Sequence, residues 1–510
     1  MDLNSILYGF EVALHPTNLI FVFLGVLIGT AIGVLPGLGP SATIALLLPI
    51  TYTMAPETAL IMLAGIYYGS MYGGTITSVL LNLPGEAASV ITTLDGYQMA
   101  VRGRAGQALS IAAIGSFIGG MVSVAALIFV APPLAALAIR IGPPEFAVLT
   151  LLGIALITRL GTGSTWKSLA AAAFGLLLGT VGQDIFTGEQ RLIGGVLELA
   201  DGFDFVVVAI GVFGIGEILH NCENTAAGVA IRTKLREFLP SRKEMKTSAG
   251  PIARGSALGF GIGLLPGGGG VLSSIISYAW EKARSKTPER FGRGAIEGVA
   301  GPETANNASS TSAFVPLLTL GLPSNAVLAL LYGALLIQGI TPGPQLMHTS
   351  PAVFWGVIAS MAIGNVFLII LNLPLVGVFT QLLRIRMSVL GPAAILISLI
   401  GAYSLANRLF DVWLVIVFGV LGYLMRKGGF DAAPFVIAFI LGPIMETSFR
   451  QSLVMSGAGI GVYLQRPAAL AMLVLLVAVF AAAPLKRRFG GRRRAAGDRP
   501  EQPESTPTSR

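Results

Sequence analysis

The sequence predicts an all-α polytopic membrane protein: two inverted-topology repeats with re-entrant helical hairpins, broken helices and roughly twelve spans. Three observations predict it. The chain is 510 residues long, 54% hydrophobic and only 11% charged, whereas a soluble protein carries about 25% charged residues. Its apolar runs are long and near-continuous, without the period-two alternation of a barrel strand. A Leu-Pro-Gly break occurs at Leu35-Pro36-Gly37 and again at Leu265-Pro266-Gly267, each between apolar runs in its own half of the chain.

Residues 1–16 read as a short interfacial helix, with Leu3, Ile6, Phe10 and Leu14 on one face. Residues 17–225 form the expected first repeat. In it, Leu19 to Ile32 and Ala42 to Met54 flank Gly33-Val34-Leu35-Pro36-Gly37-Leu38-Gly39-Pro40-Ser41. Helix cannot run through that stretch, because its prolines lack an amide donor and its glycines leave the backbone unrestrained. Inside lipid, the freed backbone groups must be satisfied by protein, water or a ligand. A second break, Asn82-Leu83-Pro84-Gly85, precedes an interrupted helix over Gly85 to Gln98. Ala108 to Ala138 exceeds the roughly 20 residues needed to span, so it should tilt or kink at Pro132-Pro133. Runs at Phe146 to Thr158, Leu169 to Val181 and Phe205 to Leu219 complete the half, with an acidic loop from Gln183 to Asp204.

A basic linker, 226–250, leads to the second repeat, 251–450. Ser256 to Ala279 carries its glycine break in the middle and ends at Lys282. It is best read as a hairpin of two half-helices of about a dozen residues each, too short to span. By symmetry, Leu19 to Met54 should form a hairpin too, although two full crossings would have the same parity. Gly321-Leu322-Pro323-Ser324-Asn325 mirrors the second break, followed by Ser324 to Gln338; Phe354 to Leu383 mirrors the long run and should bend at Pro374. Val389 to Tyr403, Val412 to Leu424 and Ala433 to Met445 follow, and 451–485 holds the last outer loop and span. The polar tail, 486–510, reads as disordered.

Seven basic clusters orient the chain: Arg102/Arg104, Arg159/Lys167, Arg232 to Lys246, Lys282 to Arg293, Arg384/Arg386, Arg426/Lys427 and Lys486 to Arg494. All reach the cytoplasm if the N-terminus is outside and the C-terminus inside. Trp166, Trp280, Trp355 and Trp413 fit interfacial anchoring. Pro36 and Pro266 lie 230 residues apart, Leu83-Pro84 and Leu322-Pro323 239 apart, and Ile118-Gly119 and Ile363-Gly364 245 apart. The first half starts outside and the second inside, which makes the repeats inverted, the common plan of secondary carriers.

The single cysteine, Cys222, excludes an internal disulfide, and His15, His220 and His348 form no ligand motif, so no metal or cofactor is expected. The net charge of +8 belongs to loops and implies no nucleic-acid partner.

Half-helix N-termini offer unpaired amides and partial positive charge. The candidate substrate residues are therefore Gly37, Gly39, Pro40 and Ser41 at one tip, and Gly267, Gly268, Gly269, Gly270 and Ser273 at the other. A carboxylate suits such donors without a buried arginine. Glu303 to Ser312 is the most polar stretch inside a span and should line a cavity. There, side-chain oxygens and unwound carbonyls could hold Na⁺. Asn82, Glu86, Glu303, Asn306, Asn307, Ser310 and Thr311 are the candidates for cation or proton coupling, with Asp95 weighed beside Glu86 and Glu303. Against binding stands the reading that the glycines only pack hairpin tips together.

Gly-Val-Leu-Pro-Gly-Leu-Gly-Pro (33–40), Leu-Asn-Leu-Pro-Gly-Glu (81–86), Leu-Leu-Pro-Gly-Gly-Gly-Gly (264–270), Gly-Pro-Glu-Thr-Ala-Asn-Asn-Ala (301–308) and Leu-Gly-Leu-Pro-Ser-Asn (320–325) resemble the large membrane subunit of the tripartite tricarboxylate transporters over about residues 15 to 485. The resemblance implies carboxylate uptake across a bacterial inner membrane. It also implies a periplasmic solute-binding protein, a small membrane subunit of about four helices, and coupling to a Na⁺ or H⁺ gradient. The alternatives are an intramembrane enzyme, for which no serine–histidine or paired-aspartate set is apparent, and an anion channel. A reporter fused after Arg510 is expected to be cytoplasmic; extracytoplasmic activity of that fusion would refute the topology.

Overall fold

The computed structural model describes residues 3–35, 38–161, 163–223, 240–382, 387–456 and 459–494. In chain order the principal helices are α1 (Leu3–Leu14), α2 (Pro16–Val34), α3 (Pro40–Thr51), α4 (Pro56–Leu81), α5 (Ala105–Ala138), α6 (Pro143–Leu160), α7 (Thr165–Leu178) and α8 (Phe205–Glu223). They continue as α9 (Arg242–Gly263), α10 (Gly269–Arg284), α11 (Glu297–Ser312), α12 (Ala326–Ile337), α13 (Pro351–Asn372), α14 (Met387–Ala406), α15 (Leu409–Lys427), α16 (Ala432–Met455) and α17 (Pro467–Arg494).

Eight helices among the described residues are long and apolar enough to cross a membrane, and the 88° bent pair Gly459–Gln465 and Pro467–Ala481 would make a ninth. That is fewer than the expected dozen: α3, α7 and α12 are apolar but have only 12, 14 and 12 residues, short of the roughly 20 that a crossing needs. The molecule is a multi-pass, all-α membrane protein.

Glycine spacing decides how the helices meet. Gly25, Gly29 and Gly33 of α2 face Gly65, Gly69 and Gly73 of α4. A Cβ on Gly29 would stand 2.4 Å from the Ile66 carbonyl oxygen, and one on Gly73 2.2 Å from that of Thr30. Gly255, Gly259 and Gly263 of α9 meet Gly301, Ala305 and Ser309 of α11 in the same way, with 2.3 Å from a Gly259 Cβ to the Ala305 carbonyl oxygen. The α2 and α9 glycines are 230 residues apart, and the α4 and α11 residues 236 apart. Small residues at four-residue spacing let two backbones touch, where lipid supplies no hydrophobic drive between helices.

The halves also interlock. A Cβ on Gly119 of α5 would lie 2.6 Å from the Thr304 carbonyl oxygen of α11, and one on Gly364 of α13 2.7 Å from the Tyr68 hydroxyl of α4. Thr304 and Tyr68 are again 236 residues apart. Each half thus packs a long helix against the other half's central one.

The α9–α10 pair is an antiparallel hairpin. Arg254 clasps Glu281 through Nε at 2.7 Å and Nη2 at 2.6 Å, well back from the tip at 264–268. Its arms, of 22 and 16 residues, are longer than the dozen expected, because α9 begins in the basic linker, capped by Ser241 and Glu244. The expected partner hairpin over Leu19 to Met54 does not pair in this way. Instead α3 turns from α2 and packs among α8, α12, α14 and α4.

Several expectations are corrected by packing. Helix α1 docks on α13 through buried Gly9 and Ala13, while Leu3 and Leu14 face outward. Trp355 is buried beneath α1 and is no interfacial anchor, whereas Trp166, Trp280 and Trp413 are exposed. Helix α5 runs unbroken through Pro132 and Pro133, but the run from Phe354 stops at Asn372 and restarts at Val376, so Pro374 breaks it. Helix α17 continues to Arg494, past the expected end of the span at 485.

The acidic loop carries a two-residue β-hairpin, Gly182 opposite Arg191. It is tied to α16 by Arg191–Glu446 at 2.8 Å and Arg450–Asp184 at 2.8 Å. The Thr187 and Phe186 amides and then Arg450 hold the Asp184 carboxyl down to about 2.

A depressed carboxyl contributes stability above its unfolded value, near 3.8, and loses it as pH falls through about 2. Amide protection factors over residues 182–191, corrected for the intrinsic pH dependence of exchange, should therefore hold at pH 5 and fall only on acidification through that window; a fall already near neutrality would contradict the assignment. Gly259→Leu should lower stability by about 2–3 kcal/mol, read as a fall in the unfolding midpoint in detergent, because its side chain would enter the α11 backbone.

Candidate functional site

Each half of the chain has two breaks, and in each half the second is built alike. Helix α4 closes on Asn82 with φ 57°, and the short helix Phe314–Leu320 closes on Gly321 with φ 68°. Both are left-handed ends, tolerated by Asn and Gly. The next segment is capped by a side chain in both: the Glu86 carboxylate accepts from the Ala88 amide at 2.8 Å, and Asn325 Oδ1 accepts from the Leu328 amide at 3.0 Å. Asn82 and Gly321, and likewise Glu86 and Asn325, are 239 residues apart. Gly85 between them has no room for a side chain, since a Cβ there would lie 2.1 Å from the Gly33 carbonyl oxygen.

The breaks converge on one cavity of about 830 Å³. Gly39, Pro40 and Ser41 line it from the first tip and Gly267 to Gly270 from the second; Glu86 and Asn325 stand between. The Gly267 amide donates to the Ser324 carbonyl at 2.9 Å, which ties the second tip to its neighbouring break. Asn325 Nδ2 donates to the Tyr67 hydroxyl at 2.9 Å, and Asn306 Nδ2 donates to Glu86 Oε1 at 3.1 Å. Asn306 Oδ1 is buried without a hydrogen-bond partner and lies 2.2 Å from where a Gly270 Cβ would stand.

Other candidates lie elsewhere. Gly37, with Pro36, falls outside the described residues. Ser273 points away from the cavity and donates to the Gly270 and Ala305 carbonyls. Glu303 is buried behind the cavity wall, where its carboxylate accepts from the Thr75 hydroxyl at 2.7 Å and from that of Thr92. Asn307 donates to the Ser116 hydroxyl at 2.7 Å. Ser310 and Thr311 donate to the Asn306 and Asn307 carbonyls of their own helix, at 2.7 and 3.1 Å. Helix α11 is continuous there, so no carbonyl is unwound and this stretch does not line the cavity. Glu303, Asn307, Ser310 and Thr311 are satisfied by back-bonding and by neighbouring helices, whereas Asn306 Oδ1 and Ser309 Oγ are buried without a partner. Asn82 is an exposed turn residue, chosen for its backbone angle. Asp95 accepts from the Tyr278 hydroxyl and from the amides of Gly292, Gly294 and Ala295, a set of bonds that pins the 292–295 loop.

Reading the sequence missed Glu217 and Asp431 and did not choose Tyr67, Asn325 or Arg426 as site residues, yet all five are on the cavity wall. Glu217 follows a π-helical turn, Ile210–Ile215, within an apolar run. Arg426 was counted only as a basic cluster, yet its Nη2 donates to Glu217 Oε2 at 2.8 Å beside the first tip. The cavity therefore does hold an arginine. Asn325 had a signal: it matches Glu86 at the spacing already seen between Leu83-Pro84 and Leu322-Pro323. The charged lining residues are Glu86, Glu217, Asp431 and Arg426, three acids against one base.

A model of the tripartite tricarboxylate transporter TctA family matches residues 19–437, a span that contains all four breaks. The chain belongs to that family. As a TctA-family member it is a component of a tripartite tricarboxylate transport system. It is 50% identical over 477 residues to an uncharacterized 52.8 kDa protein in the TAR-I ttuC' 3' region of Agrobacterium vitis, covering 93% of this chain and 95% of that one. It is also 50% identical over 214 residues to an uncharacterized protein in the TAR-II ttuC' 3' region of the same organism, covering 42% of this chain and 88% of that one. No solved structure matches.

Proposed function

We propose that this TctA-family chain is the permease of a secondary active system that imports a carboxylate by alternating access. An extracytoplasmic binding protein delivers the substrate, a small four-helix membrane subunit completes the complex, and a Na⁺ or H⁺ gradient drives uptake into a bacterial cytoplasm. The observation that carries this reading is the single cavity on which both Leu-Pro-Gly breaks and both second breaks converge. Backbone amides at Ser41, Gly269 and Gly270 hold the substrate carboxylate.

The wall charges supply the reason for coupling. Arg426 is paired with Glu217, which leaves Glu86 and Asp431 on the wall with no ion pair among the described residues; either of them, when ionised, opposes an anion entering alone. A cation accompanying it removes that cost. Glu86 and the unpartnered Asn306 Oδ1 offer oxygen ligands beside the second tip, with Glu303 in the layer behind. Substrate and cation then favour each other's binding, which is the differential affinity that coupled transport requires.

Gly161, Gly163, Asn221, Arg426 and Gly429 are among the residues that line the cavity. They adjoin in sequence Arg159, the basic linker and Lys427, which the positive-inside rule assigns to the cytoplasm. The α9–α10 hairpin, clasped by Arg254 and Glu281, moves with α11 as an elevator-type unit. An intramembrane hydrolase would need a nucleophile with its base, and no histidine or cysteine lies among the cavity residues.

Uptake of radiolabelled acetate, succinate and citrate in cells with and without the binding protein tests the reading. Saturable flux that needs the binding protein and collapses with the ion gradient is expected; flux that needs neither would indicate a channel. Gly270→Val should reduce that uptake about tenfold or more, because its side chain takes the space of Asn306 Oδ1. Asn82→Gly should leave it near the wild-type rate, and equal rates in all three proteins would remove the site assignment.

A further inference from the structure

The first tip holds a carboxylate that belongs to the protein itself. Glu217 Oε2 accepts from Arg426 Nη2 at 2.8 Å, and the Gly39 backbone hydrogen-bonds the same carboxylate. The approach is close: a Cβ on Gly39 would lie 2.8 Å from Glu217 Oε1. A glycine amide and a guanidinium therefore converge on one carboxylate at the cavity wall. Arg426 is not used up by that contact. Its Nε is buried with no hydrogen-bond partner, while a guanidinium carries a planar fork of donors that fits a carboxylate two-pronged. The neighbouring Lys427 is directed elsewhere, with Nζ donating to Glu223 at 3.2 Å and to the Tyr423 hydroxyl at 2.7 Å. Arg426 is thus the basic residue that faces the cavity.

We propose that Gly39 and Arg426 form a carboxylate cradle that Glu217 fills, and that a second carboxylate of a polycarboxylate substrate displaces Glu217 from it. This rests on the transport reading above and specifies its substrate class. One carboxylate is held by the amides of Gly269 and Gly270, and the other exchanges with Glu217 on Arg426. The exchange leaves the buried Glu217 carboxylate without its guanidinium, a cost that the accompanying cation of the transport reading offsets. A monocarboxylate can use only one of the two places, so the cradle selects for substrates with at least two acid groups. Glu217 acts as a built-in competitor that returns to Arg426 when the substrate leaves.

Isothermal titration of the purified full-length chain with acetate, succinate and citrate tests this. The wild type should bind succinate and citrate more tightly than acetate. Arg426→Gln should lose about tenfold in affinity for the two polycarboxylates and leave acetate within about twofold, with Arg426→Lys in between. Glu217→Gln should bind the polycarboxylates more tightly than the wild type, because the competitor is gone, and this arm decides if Arg426→Gln fails to fold. Polycarboxylate affinity unchanged in Arg426→Gln, or reduced in Glu217→Gln as much as in Arg426→Gln, would overturn the cradle and leave the transport reading standing. Failure of the wild type to bind any of the three acids would overturn both.

Discussion

Close backbone contact between α2 and α4, and between α9 and α11, is the constraint on which the rest of the structure depends. Gly29 and Gly259 sit where a single methyl group would strike a carbonyl oxygen. In water, such faces would be poor at holding helices together; in lipid they are what permits dispersion contact along several turns. The contact fixes how far each arm slides along its partner, and hence the depth at which each arm ends. Both arms end in Leu-Pro-Gly, so the glycine stripes determine where the two tips stand relative to α4 and α11. The interlock of Gly119 with Thr304 and of Gly364 with Tyr68 then brings the two halves into one body.

With the tips placed, the second breaks complete the cavity. Glu86 and Asn325 are caps first: each side chain satisfies an amide at the start of the segment that follows. A capping carboxylate or amide at membrane depth has spare oxygen or nitrogen, and here that capacity is turned toward Asn306 and Tyr67. The residues that repair the backbone thus also line the cavity.

The polar stretch of α11 illustrates how a sound premise can lead to the wrong surface. Polar groups at depth must be satisfied, and at Glu303, Asn307, Ser310 and Thr311 they are, by Thr75, Thr92, Ser116 and their own helix. Only Asn306 reaches the cavity residues. Periodicity places all of these on one helix, but which of them faces a cavity depends on the neighbours, and those come from residues over 180 positions away, as |i−j| = 228 for Thr75 and Glu303 illustrates. Trp355 makes the same point: composition assigns it to an interface, and α1 covers it.

The sequence alone determined the membrane class, the two pairs of breaks, their spacing and the family motifs, because proline and glycine together at one place act through local backbone chemistry. Tertiary structure decided that the tips share a cavity, that Asn82 is only a turn, and that Glu217 and Arg426 meet at Gly39. An acid inside an apolar run and a base at a helix end carry no local sign of each other. Their pairing arises from the packing of α8 against α15, where distance and burial, not residue type, set the interaction.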